Sequence, residues 1–573
     1  MAPPVQPHPP DRPDAPQGRF SGRATGNLRR WVPLIGWVAA SDRDSRRSDV
    51  VAGLTVATML IPQAMAYAAL AGMPPVTGLY AATVPLVAYA VFGTSGQLAF
   101  GPVALVSLLT ASTLAPLADG DPGRYIALAG ILALLVGVLQ LGLGVLRAGR
   151  LTALLSRPVV SGFTSAAAIV IATSQLDTLL GIDVEQAGNW PQRLAGVLTE
   201  ASAAHAPTLA VGAAAIVALV VGRRLRTRLP VTLAVVALAT TVVPLIGLEA
   251  LGVAVLGEIP RGMPTPTLPT APLTDVVAML PGATVIALIS YLEGISVARA
   301  IAARTRARID PDQELIAAGA ANLAAGLVQA FPVAGGFSRT AVNHTAGARS
   351  PMATLVTAAT VLLAVLLFAP WFRTLPQAVL AAVVIVAVAT LVDVREALHA
   401  WRVEPTDGAA LTVTFVATLV LGVEVGIGVG IAASFVLSIW RVSGRDIRVE
   451  EGGDRRVVHV EGELLAASGV RLRDVVEDVL ADGDVGSDVE VIELDLSGVP
   501  GADLSGIQAL TTLDAACTAA GVRLELAGVR EGLFVLLRRA DLVERFTGRL
   551  VVLGDRHAGA AVRPTPTDSP DGR

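Results

Sequence analysis

Two charged residues lie inside long apolar stretches of the sequence, where they could do chemistry. Arg339 follows Ser338 in Phe331-Pro-Val-Ala-Gly-Gly-Phe-Ser-Arg-Thr-Ala-Val-Asn343, and Glu293 lies in Ile289-Ser-Tyr-Leu-Glu-Gly-Ile295. A guanidinium is a permanent cation with a planar fork of donors, so it suits an anion. A carboxylate at such a depth can take up a proton near neutral pH or balance a cation. These residue types predict an anion site with a group that could couple protons.

Each charge also has a structural interpretation. Arg339 could lie near a membrane interface, with its charged end reaching water or a structural partner. Glu293 could form a static ion pair that holds two helices together, because buried pairs are often structural. Both interpretations stay open at this point.

Glycine-marked breaks interrupt the apolar sequence at two corresponding places. One is Gly93-Thr-Ser-Gly-Gln-Leu-Ala-Phe-Gly-Pro-Val-Ala-Leu-Val-Ser107, and the other is the segment 331–343 that holds Arg339. Each has the pattern of a break followed by a half-helix. In transporters the N-termini of such half-helices turn unpaired N–H groups and positive dipole ends toward a cavity at the membrane midplane. Facing N-termini favour an anion.

A third candidate group precedes these breaks. Gln63 and Tyr67 lie four residues apart, so on a helix they share a face. Pro62 is expected to interrupt this span, which could turn both side chains into the cavity. Core packing is the alternative for Tyr67, whose hydroxyl needs a single partner.

Motifs of enzymes and metal sites do not occur in the sequence. There is no phosphate-binding glycine loop, no zinc-protease motif and no Ser/His/Asp set. The single cysteine, Cys517, excludes a cysteine-based metal site and a disulfide within the chain. We therefore predict a protein that is not an enzyme and that has no cofactor and no metal.

The elements that hold these residues are those of a membrane protein. Of 573 residues 53% are hydrophobic and 16% charged, with a mean hydropathy of +0.64, whereas soluble domains carry about 25% charged residues. The 69 residues between Asp49 and Asp119 contain no charge, which is enough for about three crossings of ~20 residues each. Residues 125–146 form a further apolar span, and with the later apolar segments the number of predicted membrane spans is about fourteen.

The later predicted spans centre on Ile169, Ala214, Val236, Ile286, Ala320, Thr340, Val361, Ile385, Thr414 and Ile431.

Charge distribution predicts the orientation. Cytoplasmic loops carry an excess of arginine, and the arginine-rich loops follow even-numbered spans. They contain Arg147 and Arg150, Arg223 to Arg228, Arg304 to Arg308, and Arg395 and Arg402. Both termini are then cytoplasmic and the protein lies in the inner membrane; the alternative is that arginine clusters at helix ends on both sides. The net charge of −4 does not point to nucleic acid.

We predict four regions along the chain. Residues 1–48 are a proline-rich disordered cytoplasmic tail, 49–440 the membrane domain, 445–556 a small cytoplasmic α/β domain, and 557–573 a second disordered tail. In the third region strand-like and helical patterns alternate, which is typical of helices packed on a sheet. The strands are predicted at 456–464, 489–496 and 522–527, and the helices at 470–480, 505–520 and 531–539.

These segments together resemble a bacterial member of the SulP family of anion transporters. The likeness runs from about residue 49 to 539. It rests on Asp49-Val-Val-Ala-Gly-Leu-Thr-Val, Ile61-Pro-Gln-Ala-Met-Ala-Tyr67, Pro74-Pro-Val-Thr-Gly-Leu-Tyr80, Phe100-Gly-Pro-Val-Ala104, Ile309-Asp-Pro-Asp-Gln-Glu-Leu315 and the segment 331–343. It implies fourteen spans in two inverted repeats of seven, a core and a gate domain, and a homodimer.

The resemblance also implies an anion site between the third and tenth spans. By motif position Gln63 and Tyr67 line it from the first span, and Val103 and Ala104 supply backbone at the third. The tenth span opens with Ser338 and Arg339, and we take Phe337 and Thr340 with them as substrate-binding candidates. Glu293 occupies the place where proton-coupled members carry an acidic residue. Some relatives have an aromatic residue at the position of Val103.

The C-terminal domain resembles a STAS domain, a module related to bacterial anti-sigma factor antagonists. Asp503-Leu-Ser-Gly506 corresponds to the loop that usually reads Asp-Ser/Thr-Ser/Thr-Gly, although Leu504 departs from that pattern. Ser505 aligns with the phosphorylated serine of the antagonists. A phosphate on Ser505, at the start of the following helix, would be tolerated electrostatically, but the favoured interpretation is that Ser505 is the N-cap of that helix.

The predicted function is a secondary transporter in the lipid bilayer that imports a small anion, sulfate in the first place, with protons. The alternatives are an exchanger or symporter for bicarbonate, chloride or a dicarboxylate. From another class, the protein could be an anion sensor that signals through Ser505 and a cytoplasmic partner of the STAS domain. A nucleobase transporter of the same fold is disfavoured by Arg339.

Overall fold

The structure is a computed structural model. It describes residues 32–149, 157–184, 189–225, 230–258, 260, 262–263, 266–305, 307–423, 425–426, 428–430, 432–433, 436, 447–452, 454–464, 466–481 and 489–553. The chain forms two compact units, Met1–Ala433 and Ser434–Arg573. Ile431 itself, parts of the segment predicted around it, and most of both predicted tails lie outside the described part.

Helices dominate the first unit. In chain order they are α1 (Pro33–Ala40), α2 (Arg43–Leu70), α3 (Pro75–Ala81), α4 (Val84–Phe92), α5 (Ala104–Leu114), α6 (Pro122–Val145), α7 (Arg157–Ser174), α8 (Leu176–Leu180), α9 (Trp190–Glu200), α10 (Ala206–Arg224), α11 (Val231–Ile246), α12 (Leu273–Thr305), α13 (Pro311–Leu327), α14 (Phe337–Thr345), α15 (Met352–Phe368), α16 (Gln377–Val388), α17 (Val394–Val403) and α18 (Pro405–Leu421). Two short strands, β1 (Phe100–Gly101) and β2 (Ala334–Gly335), pair antiparallel.

Many of these helices have the length and composition of membrane spans. Among the described residues seven helical segments are long and apolar enough to cross a bilayer, and four more are apolar but shorter. Large apolar side chains such as Leu245, Leu367 and Val416 are exposed on the outside of the unit, where lipid would cover them. The structure thus supports a polytopic membrane protein, and the count of about fourteen spans stays a prediction.

The same order of elements occurs twice. A long helix, a second helical segment, a two-residue strand with a short helix, and another apolar helix follow one another in residues 43–145 and again in 273–368. Equivalent strands that pair antiparallel are what a two-fold axis in the membrane plane would produce. Helices α6 and α13 of the two halves pack closely, since a Cβ at Gly137 would lie 2.9 Å from the Gly319 carbonyl oxygen.

Two sequence predictions for this unit are corrected. The tail predicted to be disordered up to residue 48 is helical over Pro33–Ala40 and from Arg43 onward. There, Asp42 caps α2 by accepting a hydrogen bond from the Ser45 N–H. Pro62 does not interrupt the first span, because α2 continues through it to Leu70.

The second unit is a five-stranded sheet with helices. Its elements are β3 (Ile447–Gly452), β4 (Arg455–Glu461), α19 (Ala466–Ala481), β5 (Val491–Gly498), α20 (Leu504–Ala519), β6 (Arg523–Val529), α21 (Glu531–Arg539), α22 (Leu542–Arg545) and β7 (Leu550–Val552). The strand order is β3-β4-β5-β6-β7, antiparallel for the first pair and parallel for the others. All six predicted strands and helices occur, with ends within a few residues of the predicted ones. Strands β3 and β7 and helix α22 were not predicted.

Candidate functional site

The two strands β1 and β2 bring the glycine-marked breaks together. Phe100 lies opposite Gly335 and Gly101 opposite Ala334. Helices α5 and α14 begin just after these strands; their eleven and nine residues span only about 16 and 14 Å at 1.5 Å per residue, against a hydrocarbon core of about 30 Å. Both therefore have the length of half-helices, as the sequence predicted. Neither has a side-chain cap at its first position, so backbone N–H donors remain available there.

Arg339 lies where the two breaks meet. The residue is only 2% exposed. Its Nη1 atom donates a hydrogen bond of 2.7 Å to the carbonyl oxygen of Pro102. A Cβ at Gly336 would lie 2.7 Å from Nη2, so the guanidinium occupies the space that a side chain at residue 336 would need. Arg339 therefore joins the second break to the first. Its burial argues against the alternative of a side chain reaching water at an interface.

Two of the three donor nitrogens of Arg339 lack a partner among the described residues. Nε and Nη2 are buried and donate a hydrogen bond to no acceptor there. A buried polar group without a partner costs free energy, and in a native protein it calls for an explanation such as an unoccupied ligand position. Two free donors on a buried cation, beside two uncapped helix N-termini, can bind an anion.

Glu293 lies on α12 beside the second break. Its neighbour Gly294 contacts β2 so closely that a Cβ at Gly335 would be 2.7 Å from the Gly294 Cα. The Glu293 Oε2 atom is buried, and no hydrogen-bond partner for it is found in the part of the chain that the structure describes. Direct ion pairing with Arg339, one of the two options from sequence, does not occur. The charges of Glu293 and Arg339 are nevertheless close enough to interact.

Gln63 and Tyr67 lie on α2 and are both buried. The Gln63 Oε1 atom has no hydrogen-bond partner among the described residues. The Tyr67 hydroxyl interacts electrostatically with both Arg339 and Glu293. The structure therefore brings these residues to the same region as Arg339, although Pro62 does not break the helix that carries them.

The other predicted site residues differ in how they are placed. Val103 and Ala104 are buried at the start of α5. Thr340 is buried, but its hydroxyl donates to the Gly336 carbonyl oxygen at 2.7 Å and accepts from the Ala99 N–H at 3.0 Å. Thr340 thus joins the two breaks and has its hydroxyl occupied. Phe337, 61% exposed, and Ser338 have exposed side chains, so the structure does not place these two side chains in the buried site.

Buried polar residues that sequence reasoning missed hold the second break in place. The Asn322 amide nitrogen donates to the Val333 carbonyl oxygen at 3.1 Å and to Gln140 Oε1 at 2.9 Å, and its Oδ1 accepts from the Val333 N–H at 2.8 Å. Gln140 in turn donates to Ser290 Oγ at 2.7 Å, one turn before Glu293. The signal in the sequence is a single amide side chain within an apolar run, as at Gln140 in residues 126–145 of α6.

Glu314 does the same for the first break. It is buried on α13, and its Oε1 accepts from the N–H and hydroxyl of Thr94, at 2.7 and 2.6 Å, and from the Ser95 N–H at 3.0 Å. Its Oε2 accepts from the Tyr89 hydroxyl at 2.8 Å. The carboxylate therefore fixes the chain that leads into β1.

Ser505 of the second unit is not the helix N-cap, contrary to one interpretation from sequence. Asp503 is the N-cap of α20 and accepts a hydrogen bond of 2.7 Å from the Gly506 N–H. Ser505 is the second residue of the helix and is exposed. Elsewhere, no group of three or more His, Cys, Asp or Glu side chains is placed to hold a metal ion among the residues that the structure describes.

Comparison with known sequences identifies the two units. The sequence model of the Sulfate permease family matches residues 47–414, and that of the Mlab, STAS domain matches residues 447–552. A probable sulfate transporter of Mycobacterium tuberculosis is 37% identical over 414 residues, 72% of this chain and 74% of its own length. The chloroplastic sulfate transporter 4.1 of Arabidopsis thaliana is 37% identical over 420 residues. That match covers 71% of this chain and spans 60% of the plant protein.

Solved structures show the same fold. The murine Solute Carrier 26 family member A9 anion transporter in the inward-facing state superposes with a TM-score of 0.84, covering 94% of this chain and 96% of that one at 22% identity. The transmembrane domain of the cyanobacterium bicarbonate transporter BicA has a TM-score of 0.60, covering 69% of this chain and 98% of that one at 23% identity. These relatives are transporters, not enzymes. The chain therefore belongs to the sulfate permease family, as a multi-pass membrane transporter of anions with a C-terminal STAS domain.

Proposed function

We propose that the protein imports sulfate together with protons across the inner membrane, with both termini in the cytoplasm. The observation that carries the proposal is Arg339, whose Nη1 atom binds the Pro102 carbonyl oxygen while Nε and Nη2 stay buried without partners. Sulfate is favoured over other anions because the relatives at 37% identity are named as sulfate transporters.

The anion would bind to the free donors of Arg339 and to the backbone N–H groups that begin α5 and α14. Planar guanidinium donors match the spacing of oxygens on a tetrahedral oxyanion. The N-terminal end of each half-helix adds a positive partial charge. Gln63 and Tyr67 would line the site from α2. Alternating access would follow from movement of the core domain, which carries both half-helices, against the gate domain.

Glu293 would couple proton movement to the anion. Without an anion, its carboxylate and the Arg339 cation partly balance each other across the site. A bound sulfate dianion cancels the charge of the arginine and so favours proton uptake by the nearby carboxylate. The two ligands would therefore bind with positive cooperativity, which is the requirement for symport.

Uptake of labelled sulfate by liposomes with the purified full chain tests this function. We expect the wild type to take up sulfate. In Arg339→Gln the uptake rate should fall roughly tenfold or more, because the variant loses hydrogen bonds from a charged donor to the anion. Arg373→Gln is the matched control, because Arg373 is an exposed arginine in the turn Trp371–Thr374. Equal sulfate uptake by Arg339→Gln and Arg373→Gln would show that Arg339 does not bind the transported anion.

Unlabelled competitors in the same assay decide the substrate. Bicarbonate, chloride and a dicarboxylate should compete less well than sulfate. If the folded wild type takes up one of these anions and no sulfate, the anion site stands and the substrate is corrected.

The proposal includes a homodimer and a cytoplasmic partner of the STAS domain.

The proposal also includes Ser505 as a phosphorylation site. Ser505 is exposed at the start of α20, where a kinase could reach its hydroxyl. A phosphorylated Ser505 together with no net flux of any anion would instead favour the sensor function.

A further inference from the structure

Helix α17 (Val394–Val403) differs from the spans on either side of it. It follows the apolar helix α16 after an extended residue, Val392, with ψ of 106°, and precedes the apolar helix α18. Asp393 caps its first turn by accepting a hydrogen bond of 2.9 Å from the Glu396 N–H. The ten-residue helix is therefore a separate element at the C-terminal end of the span-length segment Gln377–Val403, just before the shorter apolar helix α18.

One side of α17 packs on the protein. Ala397 and Ala400 are partly buried on this side. Trp401 anchors the helix to α18, since its Nε1 donates to Thr412 Oγ1 at 3.2 Å and a Cβ at Gly408 would lie 2.5 Å from its ring. This contact with α18 fixes the rotation of α17 about its own axis, and with it which of its residues face away from the protein.

The exposed sides form two adjacent stripes. An apolar stripe lies next to the protein side, and a basic stripe lies beyond it, because residues separated by three, four or seven positions share a helix face. The apolar stripe consists of Val394, Leu398 and Trp401, and the basic stripe of Arg395, His399 and Arg402, all exposed. Around the helix the order is thus protein, apolar, basic, and then Val403 and Glu396. This order matches a helix at a membrane surface, where hydrocarbon, headgroups and water follow one another.

The arginines of the basic stripe have no ion-pair partner in the part of the chain that the structure describes. Neither Arg395 nor Arg402 forms an ion pair with any residue that the structure describes. Of the nearby carboxylates, Asp393 caps the helix and Glu404 accepts a hydrogen bond from Thr406. Glu396 lies about 100° around the helix from Arg395, at 100° per residue. The two guanidinium groups are free to bind anions outside the chain.

We propose that the basic stripe of α17 binds the headgroups of anionic phospholipids. The apolar stripe would lie in the acyl region, so that both arginines reach the phosphate level of the same leaflet. Each arginine near the membrane surface strengthens the binding of the helix to anionic lipid headgroups. A bilayer of neutral lipids lacks these headgroups, so the two arginines gain nothing from it. The protein would thus be stabilised by anionic lipid at a site that is distinct from the anion-transport site.

Thermal unfolding of the full chain in a neutral detergent tests the proposal, with phosphatidylglycerol or phosphatidylcholine added. A ligand that binds only the folded state raises the unfolding midpoint. We expect phosphatidylglycerol, and not phosphatidylcholine, to raise the midpoint of the wild type. In Arg395→Gln/Arg402→Gln about tenfold more phosphatidylglycerol should be needed for the same shift.

Three variants serve as controls. Arg395→Lys/Arg402→Lys keeps the charge and should keep most of the shift, and Glu396→Gln should keep all of it. Arg373→Gln removes an exposed arginine that lies at the other end of α16, and it should respond like the wild type. The midpoint without lipid reports folding, and the single variants replace the double one if that one does not fold.

A wild type that responds equally to both lipids would overturn the proposal. So would an equal loss of the phosphatidylglycerol shift in Arg373→Gln and in the double variant, because the effect would then be general surface charge.

Discussion

Arg339 lies where the two glycine-marked breaks meet, and its Nη1 atom joins them through the Pro102 carbonyl oxygen. A charge within an apolar stretch predicts a functional position, because burial of an unpaired charge is costly. Its contact with the Pro102 carbonyl oxygen depends on a pairing of β1 with β2 across more than 230 positions, and no local pattern encodes that. The sequence therefore predicted the residue, and the fold supplies its surroundings.

Glu314 illustrates the opposite case. It lies in the motif Ile309-Asp-Pro-Asp-Gln-Glu-Leu315, and at the start of a helix a carboxylate suggests only a favourable dipole interaction. Its role as an acceptor for Tyr89, Thr94 and Ser95 depends on tertiary packing.

At the residue scale we predict that Glu314→Gln destabilises the transporter by about 2 to 3 kcal/mol. The amide nitrogen of glutamine would face groups that donate hydrogen bonds, so part of the acceptor set would be lost. The thermal unfolding midpoint should fall, and uptake at a permissive temperature should fall with it because the chain before β1 is loosened. An unchanged midpoint would contradict this role of Glu314. Glu396→Gln on the exposed face of α17 is a matched control.

At the scale of elements, the breaks and half-helices were predictable because glycine and proline mark them. Pro62 was misleading for a physical reason. A proline removes one backbone hydrogen bond, and within a membrane protein neighbouring groups allow the helix to continue through it. The antiparallel pairing of β1 with β2 was not predicted, because two-residue strands show no periodicity.

The contact between α12 and β2 gives a prediction with a built-in control. A Cβ at Gly335 would lie 2.7 Å from the Gly294 Cα and 3.0 Å from Leu98 Cδ1, whereas a Cβ at Gly294 would meet nothing closer than 3.7 Å. Gly335→Ala should therefore cost about 1 to 3 kcal/mol through overpacking and move Glu293 away from the site. Gly294→Ala should be tolerated. Unfolding midpoints and sulfate uptake of the two variants provide the measurement, and equal behaviour would refute the close contact.

At the scale of the whole molecule, the change in composition near residue 441 predicted two parts, and the chain has two compact units. In the STAS domain, the alternation of apolar and polar residues located the central strands. It missed β3, which reads Ile447-Arg-Val-Glu-Glu-Gly452, because an edge strand with several charges lacks a clear apolar face. It also missed β7, which has only three residues.

The STAS domain should show a pH-dependent stability that depends on His459. Hydrogen bonds to Asp495 and Glu450 hold the pKa of His459 above its ordinary value. A raised pKa in the folded state means that the protonated imidazole stabilises the fold at pH below about 6.5, and this stabilisation is lost as the pH rises through the folded-state pKa.

Thermal unfolding of the second unit at several pH values tests this prediction. The midpoint of the wild type should exceed that of His459→Gln by more at about pH 5.5 than at about pH 8.5. High salt should reduce the difference, because His459 is partly exposed and its partners are screened. A difference between the two proteins that stays constant with pH would exclude the role of the charged imidazole.

The central claim is that Glu293 couples protons to an anion bound at Arg339. The most direct test is uptake of labelled sulfate by liposomes with and without an inward proton gradient, for the wild type and for Glu293→Gln. The account predicts that the gradient stimulates uptake by the wild type and has no effect on the variant, which should still exchange sulfate for sulfate because Arg339 is intact. Equal stimulation of both proteins by the gradient would contradict it.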